Sequence, residues 1–220
     1  MEPVPRPGLE NTLIMKLETR AEISLASCVI LNSNRLKSIV ARLYNFTSNN
    51  IHIVSVGEWD APLFHRFAKS RIKEENLVLF FGTIAENKGI EYLVMAEPYI
   101  TSKVKNVKIV IAGSGNLSKY IKYMKNRNNF IIINRYINYD EGSILFQKTK
   151  IVVLPYTYGT ISGIVITAYS FKKAIVATSS GLFPEIIEDG KTGILVPPRD
   201  PIALASAIVS LLKNDKLRKN

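Results

Sequence analysis

The chain has 220 residues, 47% of them hydrophobic and 21% charged, with a formal net charge of +11. That length suits one large domain, or one domain and part of another, and the apolar content exceeds that of a disordered tail. One cysteine, Cys28, excludes a disulfide-built module, and with two histidines it excludes the usual zinc ligand sets.

Residues 1–10, with Pro3, Pro5 and Pro7, read as an extended tail without the basic start and apolar core of a signal peptide. A reduced cytoplasmic compartment is the expectation. A helix over 13–26, a strand over 28–31, a helix over 34–44 and a strand over 51–56 follow. Residues 1–56 thus read as a partial N-terminal α/β segment. Residues 57–76 mix charges and aromatics without a period and read as a connector.

From residue 77 the chain alternates. A continuous apolar run predicts a buried strand over 77–81, and further short apolar segments predict strands over 107–112, 130–133, 151–154 and 174–177, with a last strand over 194–196. Between them lie helical patterns. The first covers 88–99 and ends near Pro98, and the second runs from the glycine turn 113–115 to residue 125. The third is capped by Asp140 and runs to 147, and a fourth covers 162–171. A short helix over 184–188 precedes a last one opened by Asp200 and Pro201 and running through 212. Strand–helix alternation of this kind predicts an α/β fold: a doubly wound, Rossmann-like parallel sheet over 77–220, covered on both faces. Ligands of such sheets sit beyond the carboxyl ends of the strands. The uncharged stretch 151–171 is long enough to span a bilayer. Its centre, however, reads Tyr156-Thr157-Tyr158-Gly159-Thr160 after Pro155, which fits a strand, a loop and a buried helix instead.

Three loops meet at the expected ligand edge. In the first, running from Gly82 and Thr83 to Lys88 and Gly89, Lys88 stands where an anion gains an ammonium and helix-start amides. Gly113 and Gly115 of the second let backbone approach a ligand. The third, 159–163, puts hydroxyls and a glycine at the start of a buried helix, whose free amides and dipole favour an anion. No nucleophile–base pair is legible, because His52 and His65 precede the alternating region. No Asp-x-Asp pair is present to hold a divalent ion on a diphosphate. Between Pro98 and Tyr139 stand Lys103, Lys105, Lys108, Lys119, Lys122, Lys125, Arg127 and Arg135 without one acidic residue. Such a face attracts nucleic acid, anionic lipid or an anionic small molecule. It carries no RNA-binding or helix-turn-helix signature, and a solvated surface away from the ligand edge is the simpler reading.

The motifs Phe80-Phe-Gly-Thr-Ile-Ala-Glu-Asn-Lys-Gly-Ile-Glu-Tyr-Leu93, Val110-Ile-Ala-Gly-Ser-Gly115, Arg135-Tyr-Ile-Asn-Tyr-Asp-Glu141, Val153-Leu-Pro-Tyr156 and Thr160-Ile-Ser-Gly163 come in a telling order. So do Ala174-Ile-Val-Ala-Thr178, Gly181-Leu-Phe-Pro-Glu185, Asp189-Gly-Lys-Thr-Gly-Ile-Leu-Val-Pro-Pro198 and Asp200-Pro201. Together, over 77–213, they resemble the C-terminal nucleotide-sugar-binding domain of family 4 glycosyltransferases of the two-domain GT-B type. Residues 12–56 resemble the end of the preceding acceptor-side domain. The resemblance implies a retaining, metal-independent sugar transfer from a nucleotide-sugar donor, with no cofactor. The acceptor would be a glycan, a lipid-linked molecule or a protein, and peripheral membrane contact is compatible with it.

By the same resemblance Lys88 contacts the donor diphosphate, and Thr83 stands where the family usually has an arginine. Ser162, Gly163 and Ile164 offer amides to phosphate, with Thr160 in the same loop. Arg135, Tyr136 and Ile137 lie near the base. Gly159 and Thr167 occupy the positions matched to two family glutamates, so no catalytic residue is assigned. The chain is short for a two-domain enzyme, which implies a fragment, a truncated product or half of a split enzyme completed by a second chain. A catalytically degenerate donor-binding subunit, a sugar-nucleotide epimerase and a nucleic-acid binder are the competing expectations.

Overall fold

A computed structural model describes residues 13–54, 61–158 and 162–219. The expected tail 1–10 and the end of the strand at 55–56 lie outside the described residues. The chain divides into two compact units, Met1–Gly57 and Glu58–Asn220. The first holds α1 (Leu13–Leu25), β1 (Val29–Leu31), α2 (Asn34–Tyr44) and β2 (Ile51–Ile53). β1 and β2 are parallel, with Val29 opposite Ile51 and Leu31 opposite Ile53. α2 starts where the Ser33 hydroxyl accepts the Leu36 amide at 3.2 Å, and it ends at Asn45 in the left-handed region.

The second unit runs α3 (Ala61–Arg66), β3 (Leu77–Phe81), α4 (Ile90–Lys103), β4 (Lys108–Ala112), α5 (Ser118–Ile121), β5 (Phe130–Ile133), α6 (Tyr139–Lys148), β6 (Ile151–Leu154), α7 (Gly163–Ser170), β7 (Ala174–Thr178), α8 (Phe183–Ile186), β8 (Ile194–Val196), α9 (Pro201–Lys213) and α10 (Asp215–Lys219). The six strands form one parallel sheet in the order β5-β4-β3-β6-β7-β8. Every residue of β3 and β6 is buried. Successive strand residues point to opposite faces, so both faces of the sheet centre are covered. α4 packs against α9, and α3 packs against α6 and α7. The uncharged stretch 151–171 is therefore strand, loop and helix. No helix among the described residues is long and apolar enough to cross a membrane.

Four local expectations are corrected. The connector contains α3, whose Phe64 is buried edge-on against Phe81, Tyr139 and Phe146. A six-residue helix is too short to show a period. Farther along, Glu74 ties the connector to the unit: Lys173 Nζ and Arg218 Nη1 reach its two oxygens at 2.6 and 3.0 Å. Burial raises the Glu74 carboxyl pKa, but the hydrogen bond and charge of Lys173, with Arg218, outweigh it and hold the group below the usual range.

α4 does not stop at Pro98 but continues to Lys103. The ring removes the donor that would meet the Val94 carbonyl. Burial of Ile100, which is fully enclosed, carries the helix on. α6 is capped by Asn138, whose side chain accepts the Glu141 amide at 2.8 Å, and Asp140 sits inside the first turn. α5 is a single turn that ends well before residue 125.

The last helix starts as expected, with Asp200 Oδ1 accepting the Ile202 and Ala203 amides at 3.0 and 2.9 Å and Pro201 in the first turn. Losing such a cap costs about 0.5–2 kcal/mol. Asp200→Ala is expected to lower the urea midpoint accordingly without changing the slope, and an unchanged midpoint would remove this cap from the account.

Candidate functional site

β3 and β6 are neighbours in the sheet, yet the chain leaves them toward opposite edges. A crevice outside their carboxyl ends is the expected ligand position. The loop after β3 and the loop after β6 are bound to each other there. The Thr157 amide donates to the Asn87 carbonyl at 2.9 Å, and Asn87 Nδ2 donates to the Tyr158 carbonyl at 3.3 Å. Gly89 opens α4 in the left-handed region, and a Cβ there would lie 1.9 Å from the Pro155 carbonyl oxygen. Only glycine permits this approach.

Lys88 and Ser162, read separately from the sequence, belong to one arrangement. Lys88 is half-buried, with Nζ 3.8 Å from the centre of the Tyr156 ring. The same ring's hydroxyl lies 3.2 Å from Ser162 Oγ, and both residues are buried. Tyr156 is itself held, because Thr178 Oγ1 and Ser180 Oγ donate to its carbonyl at 2.6 and 2.8 Å. Ser162 occupies the N-cap of α7 but leaves the cap unmade, since its hydroxyl turns to Tyr156. Val165 donates its amide to the Ser162 carbonyl at 3.1 Å, while the Gly163 and Ile164 amides have no acceptor among the described residues, and the positive end of the helix dipole lies beside them. Beside Gly163 there is open space where a side chain would stand. Lys88 pairs with no carboxylate of the described residues, so a cation and orphan amides remain for an anion.

The other expected residues divide. Thr83 is exposed, and Gly82, in a glycine-only conformation, donates its amide to Ala112 at 2.9 Å. Gly113 and Gly115 serve the chain itself: a Cβ at Gly113 would lie 1.9 Å from the Gly82 oxygen, and one at Gly115 would lie 2.2 Å from the Ile84 oxygen. Their need for glycine comes from loop against loop. Arg135 is committed to Glu141 through two hydrogen bonds, which raise the guanidinium pKa and lower that of the carboxyl. Tyr136 is exposed beside it, while Ile137 is buried in the core. Ile164 is half-buried against the core. Thr167 is buried, with its hydroxyl donating to the Gly163 carbonyl at 3.2 Å, so the helix backbone occupies it. Gly159 and Thr160 lie outside the described residues.

One placement was misread. Lys119, grouped with the lysines away from the ligand edge, opens α5 and pairs with Glu86 of the loop after β3. The hydrogen bond from Lys119 lowers the Glu86 pKa and raises that of Lys119. This pair neutralises itself and leaves Lys88 as the cation of that loop. Tyr156, Asn87, Thr178 and Ser180 were not singled out. The sequence signal for Tyr156 was its place directly after the β6 run and Pro155.

The sequence model of the family described as "Glycosyl transferases group 1" matches residues 75–214. An uncharacterized glycosyltransferase of Methanocaldococcus jannaschii is 28% identical over 202 residues, covering 86% of this chain and 52% of that protein. The chain thus spans about half the length of the curated relatives it matches. Among solved structures, sucrose-phosphate synthase from Thermosynechococcus elongatus aligns with a TM-score of 0.75 at 17% identity, covering 98% of this chain and 56% of that one. Anabaena HepE, solved in complex with UDP, aligns with a TM-score of 0.74 at 16% identity, covering 96% and 61%. At these identities the structures speak for the fold, that of a GT-B domain. With the family model matching well over half of its length, the chain belongs to the glycosyl transferases group 1 family.

Proposed function

We propose that the second unit binds a nucleoside diphosphate sugar across the carboxyl ends of β3 and β6. The chain then serves retaining transfer of the sugar to a glycan or lipid-linked acceptor. The observation that carries this reading is the Lys88–Tyr156–Ser162 arrangement, in which one tyrosine ring carries an ammonium on its face and the N-cap of α7 at its hydroxyl. In sugar transfer the bond from the anomeric carbon to the diphosphate oxygen breaks, and negative charge grows on the departing diphosphate. Donors fixed in advance at that position stabilise the transition state more than the ground state.

Family membership and the UDP bound in the Anabaena neighbour support a nucleotide donor. No divalent ion is assigned a part. Among the described residues no group of three or more His, Cys, Asp or Glu side chains could hold a metal. A calorimetric screen of the nucleoside diphosphates and their glucose conjugates, with and without EDTA, tests the reading. One base is expected to bind, with unchanged affinity in EDTA. Binding lost in EDTA and restored by manganese would overturn the metal-free part, and no binding by any nucleotide would overturn the donor site.

A further inference from the structure

The cationic stretch between Pro98 and Tyr139 is not uniform once folded. Lys119 and Arg135 are paired with Glu86 and Glu141, and Lys108 donates to the Asn128 carbonyl at 2.5 Å. Lys103, Lys105, Lys122, Lys125 and Arg127 make no ion pair with another described residue. Two of the five, Lys122 and Lys125, line an apolar groove of about 650 Å³ together with Met95, Pro98, Tyr99, Tyr123 and Pro201. On one side of it, Met95, Tyr99 and Lys103 follow one another at intervals of four along α4 and so share one face. On the other stand Lys122, Tyr123 and Lys125, with Lys122 Nζ 4.9 Å from the Tyr123 ring centre. Tyr99 is 50% exposed, Tyr123 39% and Met95 36%. Pro201 lines the groove, and its neighbour Ile202, at the start of α9, is 56% exposed.

We propose that this face, the second half of α4 with residues 122–127, docks the domain on an anionic lipid bilayer. Unpaired lysines around the groove complement a negatively charged headgroup layer, and their aliphatic stems can lie on apolar surface while the ammonium stays in water. Tyrosine has an apolar body and a polar tip, the chemistry that settles at a membrane–water interface. Met95 and Ile202 lie exposed near the tyrosines. A single-stranded nucleic-acid platform relies on aromatic faces and gains little from such aliphatic groups, so the mixture favours lipid. On α4 the face begins more than a turn from Gly89. The proposal does not depend on what the Lys88 crevice binds.

The test is co-sedimentation of the full chain with vesicles of phosphatidylcholine alone or mixed with phosphatidylglycerol, at low and high salt. Binding is expected to the mixed vesicles only, and to weaken with salt. Each basic residue near an anionic surface contributes about fivefold in partitioning, so Lys122→Gln with Lys125→Gln lowers it about 25-fold. Tyr99→Ser with Tyr123→Ser lowers it at both salt concentrations, and all four side chains are exposed, so the fold is retained. Equal binding to both vesicle types, or variants that partition like the parent, overturns the proposal. So does binding of homopolymeric RNA with vesicles left unbound, which would assign the face to nucleic acid.

Discussion

Lys88→Ala lowers the affinity for the best nucleoside diphosphate by roughly ten- to a hundredfold. A hydrogen bond to a charged group is worth about 1.5–3 kcal/mol, and every 1.4 kcal/mol is a factor of ten. The loss is not shared with a neighbour, since Lys119 is engaged by Glu86 and Arg135 by Glu141. Tyr156 contributes by holding the ammonium in place through its ring face. Thr83→Arg supplies a second cation from an exposed position in the same loop, and the affinity rises by a margin that shrinks with added salt. Titration of both variants with the nucleotide found by the screen measures the two effects. A Lys88→Ala variant that binds as the parent does would place the diphosphate elsewhere.

Gly89→Ala acts on stability and binding together. The backbone there is left-handed, at φ 63°, and the added Cβ meets the Pro155 carbonyl oxygen at 1.9 Å. A left-handed non-glycine residue costs about 1–2 kcal/mol, and overpacking a filled site costs about 1–3 kcal/mol. A total destabilisation of about 2–5 kcal/mol is expected in urea unfolding. The clash is with main chain, so it cannot be relieved by turning a side chain. What moves is the loop that carries Tyr156, and nucleotide affinity falls even at temperatures where the variant is folded. Full stability with full affinity would contradict the contact between the two loops.

The sheet was legible because strands buried on both faces read as unbroken apolar runs. Leu77-Val-Leu-Phe-Phe81 and Ile151-Val-Val-Leu154 show no polar residue, and the structure buries each one. Short or interrupted helices were less legible. α3 has six residues, held by the Phe64 ring and by His65 stacked on Phe171, and α4 passes through Pro98 because burial of Ile100 outweighs a missing hydrogen bond.

In the site, Lys88 and Ser162 could be read from the chemistry of helix starts. Their connection could not, because Tyr156 joins them across two strands that are distant in sequence. Glycine at 113 and 115 was noticed as backbone that comes close to something. Its partner proved to be the Gly82–Ile84 loop, which no local pattern announces. Lys119 shows the reverse failure, since charge counting grouped it with its sequence neighbours while the fold carried it to the opposite edge.

Mapping backbone amide shifts on addition of the bound nucleoside diphosphate tests the central claim most directly. The largest shifts are expected at residues 82–89 and at Gly163, Ile164 and Val165 in the first turn of α7, which Tyr156 and Ser162 link to the loop after β3. Met95, Tyr99 and Tyr123 should stay unmoved. Saturable shifts confined to residues outside these two loops, with Lys88, Gly163 and Ile164 unchanged, would contradict a donor site at the carboxyl ends of β3 and β6.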